Sequence, residues 1–400
     1  MRRHGSMTYS VRLNRDIPPE LVEEFLKKLS YVSESLSTYD LDPVARDSVS
    51  FELRPGHDEQ SKLVSSRIRE VADKLCKGHR QSKIKVLVNR KDRDISFSSD
   101  PHPILESMDE IHKYGEGWFG FGPRLVELMN LFDRDVQALA ARMPAVPRQF
   151  PTLIGADVMD RCRYLRSFPS ALTMVSHLRE DLGAIQDFAK VAAWDGEQLV
   201  CDPAGLSTIQ CLLAPSICFH YYAWLQNRSI DTTCVTAIGK CFRFESKSMA
   251  GLERLWDFTM REVIFAGPGE YVLAERQRVV DETVGLLDKW GLAYEIKSAT
   301  DPFFIEDYAA MTAFQLAFDL KFEILAPLPY KHKDLAIGSF NYHQDFFGRS
   351  FGIAGKSGDP IHTSCVGFGL ERVALAFLAQ HGLDSAKWPA AIADQIRNPW

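Results

Sequence analysis

Two runs constrain what this chain can fold into more than any other part of it: CFRFES at 241–246 and LWDFTMREVIF at 255–265, joined by a polar loop through Gly251. They read as a strand, a flexible loop and a second strand. Residues two apart in a strand share a face, so Arg243 and Glu245 project together at the end of the first strand, while the second carries Phe258 and Glu262. An arginine and a glutamate buried on one face are costly unless each has a partner. An anionic nucleotide would supply one. A further run, GFGLERVALA at 367–376, places paired glycines before an amphipathic helix that opens with Arg372. Such glycines allow close backbone approach to a ligand, and an arginine in the first helical turn can project toward it.

The rest of the chain organises around these runs. Residues 7–13 and 48–53 alternate as strands do, and residues 18–29 and 59–77 carry apolar residues at helical spacing. Residues 84–88 read as a further strand, which gives a small α+β appendage ending near residue 95. Two prolines beside Ser98, Ser99 and Asp100 suggest a linker, and residues 123–143 read as one long helix closed off by Pro144 and Pro147. From residue 150 onward strands and helices alternate without a break. The expected division is therefore an appendage over 1–97 and a large catalytic domain over 98–400.

With 400 residues, 46% hydrophobic and 25% charged, the chain can bury a large core. A net charge of -6 argues against a protein that coats nucleic acid, since such binding rests on many contacts from Lys and Arg to phosphate. No apolar stretch reaches the roughly 18 residues of a membrane span, and the first residues lack the apolar core of a secretion signal. The expected location is the cytoplasm. The eight cysteines form no CxxC pair, so no disulfide framework is expected.

Six blocks carry a resemblance: YLRSFP at 164–169, PSIC at 215–218, DPFF at 301–304, KFEIL at 321–325, SFNYHQD at 339–345 and HTSCVGFGLER at 362–372. The strand–loop–strand run and the glycine–arginine helix resemble motifs 2 and 3 of the class II aminoacyl-tRNA synthetases, and residues 150–169 resemble motif 1. More narrowly, the blocks resemble the amino acid:[carrier protein] ligases, relatives of the atypical archaeal seryl-tRNA synthetase that lack its tRNA-binding domain. The likeness spans about two thirds of the chain, from near residue 105 to 382. It implies an α+β fold, a mostly antiparallel sheet flanked by helices, preceded here by a small α+β domain. It also implies a homodimer built on motif 1.

The resemblance further implies one zinc ion held by Cys218, Glu262 and Cys365, with the open fourth position taking the α-amino group of a small amino acid. Arg243 would grip the α-phosphate of ATP and Arg372 would lie near the β- and γ-phosphates. Glu245 would meet the adenine edge, Phe258 would stack on the purine, and Arg254 would reach the phosphates. Glu323 would hold magnesium against ATP, and Asn341 would line the amino acid pocket. Glycine, alanine and serine are the implied substrates, and the implied acceptor is the phosphopantetheine thiol of a holo carrier protein.

Several features keep two readings. His343 is either a catalytic base or metal ligand, or a packed histidine. Cys241 reads as a core cysteine. Trp118, Phe119 and Phe121 either shape the pocket or belong to the core. The basic run of Lys74, Lys77, His79, Arg80, Lys83, Lys85, Arg90, Lys91 and Arg93 is either a solvated edge guarded by charge or a docking surface for an acidic partner. The appendage itself departs from the carrier-protein ligases, so charging of tRNA and a catalytically silent regulatory role stand as alternatives to carrier ligation.

Overall fold

The computed structural model describes residues 7–77, 84–246, 249, 251–301 and 308–397. Outside it lie Pro302, Phe303 and Phe304 of the DPFF block and His79, Arg80 and Lys83 of the basic run. The centre is an eight-stranded sheet in the order Val86–Asn89, Glu295–Ser298, Lys321–Leu328, Lys333–Gln344, His362–Gly369, Asp257–Gly267, Thr233–Phe242, Val146–Pro147. Every neighbouring pair is antiparallel except the last, where Val235 meets Val146 in parallel register. The architecture is the α+β class expected.

Strand alternation divides what the two faces carry. Val263 and Phe265, Val366 and Phe368, Phe340 and Tyr342, and Phe322 and Ile324 point to one face. There they meet the helices Pro123–Arg142, Gly269–Lys289 and Leu370–His381 in the larger core. The helix Pro123–Arg142 starts on a proline whose missing N–H costs nothing at that position, and it buries Leu125, Leu128, Phe132, Val136 and Leu139 at three- and four-residue spacing. Leu370–His381 is buried almost all round; even Glu371 lies inside, accepting the Thr259 N–H at 2.8 Å. The opposite face packs a second core of Ile154, Tyr222, Ile264, Phe347 and Cys365. That core includes a three-stranded sheet, Leu153–Gly155, Cys211–Leu213 and Met174–Val175, and the helices Cys218–Trp224 and Phe346–Phe351.

The N-terminal unit has a core of its own. Thr8–Arg12, Ser48–Leu53 and Leu36–Leu41 form an antiparallel sheet with Ser48–Leu53 in the middle, covered by Val22–Leu29 and Ser61–Cys76. The strand Val86–Asn89, which falls within the appendage expected over 1–97, pairs as the edge strand of the large sheet, with Val88 opposite Ile296. A four-residue strand takes its place from an open sheet edge far away in sequence, which no local pattern reports. Ion pairs engage four of the six described residues of the basic run. Lys85 bridges to Asp319 at 2.6 Å, Lys91 to Asp334 at 2.6 Å, and Arg93 to Asp288 at 2.6 Å, while Lys74 pairs with Glu70 inside its own helix. Among the described residues no helix is long and apolar enough to cross a membrane.

One buried ion pair fixes the central strand to the helix layer. Arg261 donates from Nε and Nη2 to the two carboxylate oxygens of Asp133 at 2.7 and 2.8 Å. Replacing Asp133 by Ala leaves the guanidinium buried without its partner. The unfolding free energy should fall by about 3–5 kcal/mol, measured by urea denaturation against wild type.

Candidate active site

The register of the sheet gathers the expected site residues on the face away from the long helices. Glu262 lies opposite Gly367, Gly367 opposite Ser339, and Ser339 opposite Glu323; Cys365 lies opposite Asn341, and Asn341 opposite Lys321. Directly opposed residues in an antiparallel pair share a face. Four neighbouring strands therefore present Phe258, Met260, Glu262, Cys365, Ser339, Asn341, Lys321 and Glu323 to one side. The strand Thr233–Phe242 stops one residue short of Arg243, but hairpin pairing continues, since the Arg243 N–H reaches the Trp256 carbonyl at 3.0 Å.

Cys218 arrives from a different element, the first residue of the helix Cys218–Trp224. One ligand atom each from Cys218, Glu262 and Cys365 lies within 4.8 Å of the others, and the three residues are only 2%, 1% and 6% exposed. The Glu262 carboxylate accepts from Ser216 Oγ at 3.0 Å, the Ile217 N–H at 3.2 Å and the Cys218 N–H at 3.0 Å. Burial, then the neighbouring Cys365 sulfur, pushes its pKa up to about 7. Hydrogen bonding from Cys218, with further help from His343 and Asn341, holds Cys365 well below the ordinary thiol range, while burial pushes Cys218 well above it. Two sulfurs and a carboxylate in a dry cradle suit a borderline-soft divalent ion, and three protein ligands leave one position open. The residues therefore fit the zinc expected from the resemblance.

Around this triad, His343 is held as a supporting group. Its Nδ1 lies 3.1 Å from Thr363 Oγ1, its Nε2 lies 3.8 Å from Cys365 Sγ, and its ring packs edge-on to Tyr222 and Phe347. Asn341 Nδ2 donates to Ser339 Oγ at 3.1 Å and approaches Cys365 Sγ at 3.6 Å, beside the triad.

Toward the other end of the face, the Arg243 guanidinium stands over the Phe258 ring at 5.4 Å and its Nε donates to the Pro215 carbonyl. Arg254 pairs with Glu245 at 2.9 Å and reaches Glu23 of the N-terminal unit at 3.7 Å. Arg372 Nε donates to the Glu253 carbonyl at 2.8 Å, and its Nη1 to that of Ala336 at 3.2 Å. Glu323 sits 3.0 Å from Lys321 Nζ, which also holds Asp301 at 2.7 Å. Of the expected residues, Cys218, Glu262, Cys365 and Asn341 meet at one end of the face and Arg243 and Phe258 stand at the other, while Glu323 lies level with Glu262 three strands away and Arg372 reaches in from the helix Leu370–His381. Phe119 and Phe121 pack against the larger core, Trp118 is half exposed, and Cys241 is fully buried in the smaller core.

Three participants carried no individual signal in the sequence. Ser216 stands two residues before Cys218 and steadies Glu262. Lys321 neutralises Glu323. His102, in the segment that reads as a linker, accepts the buried Leu252 N–H at Nε2, 2.9 Å away. That contact assigns the proton to Nδ1, which then donates to Asp100 Oδ1 at 2.8 Å. His102 thereby clamps the turn that carries Glu253 and Arg254. Gly251 at its start has φ +59°, and a Cβ there would fall 2.5 Å from His102 Nε2.

No family model matches the chain. Over 255 residues it is 35% identical to "Amino acid--[acyl-carrier-protein] ligase 2" of Bradyrhizobium diazoefficiens, covering 62% of this chain and 73% of that one. It is 26% identical over 324 residues to a "Type-2 serine--tRNA ligase" of Methanococcus aeolicus, covering 77% of this chain and 61% of that relative's length. M. kandleri SerRS, solved with A. aeolicus tRNASec, superposes with a TM-score of 0.71 at 21% identity, over 97% of this chain and 77% of that one. The fold is that of the class II aminoacyl-tRNA synthetases, and the chain is an ATP-binding ligase. Within that class it belongs to the amino acid--[acyl-carrier-protein] ligase family.

In urea denaturation, His102→Ala should lower the unfolding free energy by about 1–3 kcal/mol, the cost of leaving one buried N–H without an acceptor. His102→Gln, which keeps an acceptor at that reach, should restore most of the loss.

Proposed function

We propose that the protein activates a small amino acid as its adenylate and passes the aminoacyl group to the phosphopantetheine thiol of a holo carrier protein. The single observation that carries this reading is the face itself, which runs from Phe258 and Arg243 at one end to the Cys218, Glu262 and Cys365 triad at the other. Cys218, Glu262 and Cys365 would hold zinc, which when bound supplies a resting place for the substrate's amino nitrogen. Phe258 stacks on the purine, Glu245 meets its edge, and Arg243, Arg254 and Arg372 surround the phosphates. Magnesium enters with ATP, with Glu323 as its carboxylate on this face.

The chemistry asks little beyond positioning and charge. One oxygen of the amino acid carboxylate forms a bond to the α-phosphorus as the bond to pyrophosphate breaks, and negative charge builds on the phosphate oxygens. A preorganised donor at such a point is worth about 3 kcal/mol. The carboxylate is already ionised near neutral pH, so the first step needs no general base. The carrier thiol then attacks the carbonyl of the mixed anhydride, giving a thioester and AMP.

The 35% identity to an amino acid--[acyl-carrier-protein] ligase favours the carrier; the described part of the basic run does not discriminate, because Lys85, Lys91 and Arg93 are engaged in ion pairs within the protein. The second reading, tRNA charging, rests on the likeness in fold to a seryl-tRNA synthetase over 97% of this chain, N-terminal unit included, and 77% of that one. Homodimer assembly belongs to the first reading as well. Its support is an apolar arm in which Met174, Leu182, Trp194 and Leu199 are all exposed.

The full chain with ATP, magnesium, zinc and each of glycine, alanine and serine should acylate a holo carrier protein, seen by intact mass. Acylated total tRNA instead would establish the second reading, and absence of both product and adenylate would overturn both. One zinc per chain is expected, and Cys365→Ala should lose it. The affinity should also depend on pH, since a proton on the glutamate competes with the metal. An ordinary glutamate does so only below 4.5, whereas Glu262 does so up to about 7. Zinc affinity should thus fall by roughly an additional tenfold per pH unit below that point, and Glu262→Gln should abolish this dependence in a chelator competition.

A further inference from the structure

We propose that Met260 sets the upper size limit on the amino acid side chain, an inference that rests on amino acid activation as proposed above. Phe258, Met260 and Glu262 alternate down one face of a single strand. Two residues advance a strand by about 7 Å, so Phe258 and Glu262 stand roughly 13 Å apart with Met260 midway. An aminoacyl-adenylate whose purine lies on Phe258 and whose amino group lies at the triad must pass over Met260.

The neighbouring strands offer no other side chain at that point. Gly239 lies opposite Met260 on one side and Gly369 on the other, with Gly367 one step along. Gly239 is roofed by Ile217, since a Cβ there would meet the Ile217 side chain at 3.6 Å. Gly367 is covered by Met260 itself. A Cβ there would fall 2.6 Å from Met260 Cε and 3.6 Å from Glu262 Cγ. The thioether tip therefore lies across Gly367, beside Glu262 and on the same face as Cys365, Ser339 and Asn341. A substrate held by its amino nitrogen has its side chain against this tip. Methionine is unbranched and adapts to irregular space, so the limit should be graded with side-chain size.

The test is kcat/KM in ATP–pyrophosphate exchange for glycine, alanine, serine and 2-aminobutyrate, with zinc content measured on each variant. Met260→Ala removes three heavy atoms and should raise the ratio of 2-aminobutyrate to glycine by about tenfold or more, the scale of one methylene in a pocket. Gly367→Ala, which pushes the flexible Met260 tip outward, should lower the same ratio. Met260→Val serves if the alanine variant does not fold. An unchanged ratio in an active, zinc-loaded Met260 variant overturns the proposal and makes Met260 a packing residue. No exchange by wild type with any amino acid overturns the functional reading, and this inference falls with it.

Discussion

The alternation of the strand Asp257–Gly267 is the constraint on which the rest of the structure depends. Arg261, Val263 and Phe265 point into the helix layer, and Phe258, Met260 and Glu262 point into the site. A slip of one residue would exchange the two sets. It would drive Arg261 toward Cys218 and Cys365 and leave Glu262 among Leu128, Phe132 and Phe377. The bidentate Arg261–Asp133 pair opposes this, because only one register brings the guanidinium to that carboxylate. A buried ion pair of this kind contributes little net stability. Its effect here is to make one register far better than its neighbours.

The same logic applies to the charges along the site. Isolated charges in a dry cleft are prohibitively costly, and here the described ones are provisionally partnered. Arg254 leans on Glu245, Glu323 on Lys321, and Arg243 and Arg372 on backbone carbonyls. The triad follows a different course. There burial disfavours the charged forms of Cys218 and Glu262.

The sequence displayed those parts of the molecule that are encoded locally. Arg243 and Glu245 two apart, glycines ahead of Arg372, and the apolar stripe of the helix at 123–142 each carry their geometry in their spacing. So does the class of the fold. The three candidate metal ligands carried a signal only through their blocks, because Cys218, Glu262 and Cys365 meet across elements far apart in the chain. His102 was invisible for a stronger reason: its partner is a backbone N–H of Leu252, which has no residue type to recognise. Met260 was equally silent, since a methionine on a strand acquires meaning only when the register places glycines around it. The edge strand Val86–Asn89 looked like part of the N-terminal unit because its partner, Glu295–Ser298, is contributed some two hundred residues later.

That last pairing bears on how the chain is made. As it leaves the ribosome, the N-terminal unit can close around its own core early, whereas the segment at 86–89 must wait until residue 298 has emerged. For most of synthesis it is an unpaired β edge, the kind of surface that invites pairing with another chain. Lys85, Arg90 and Lys91 flank it, and like charges on neighbouring nascent copies would keep such edges apart. The cations that later tie the strand to Asp319 and Asp334 would thus first act as its guard.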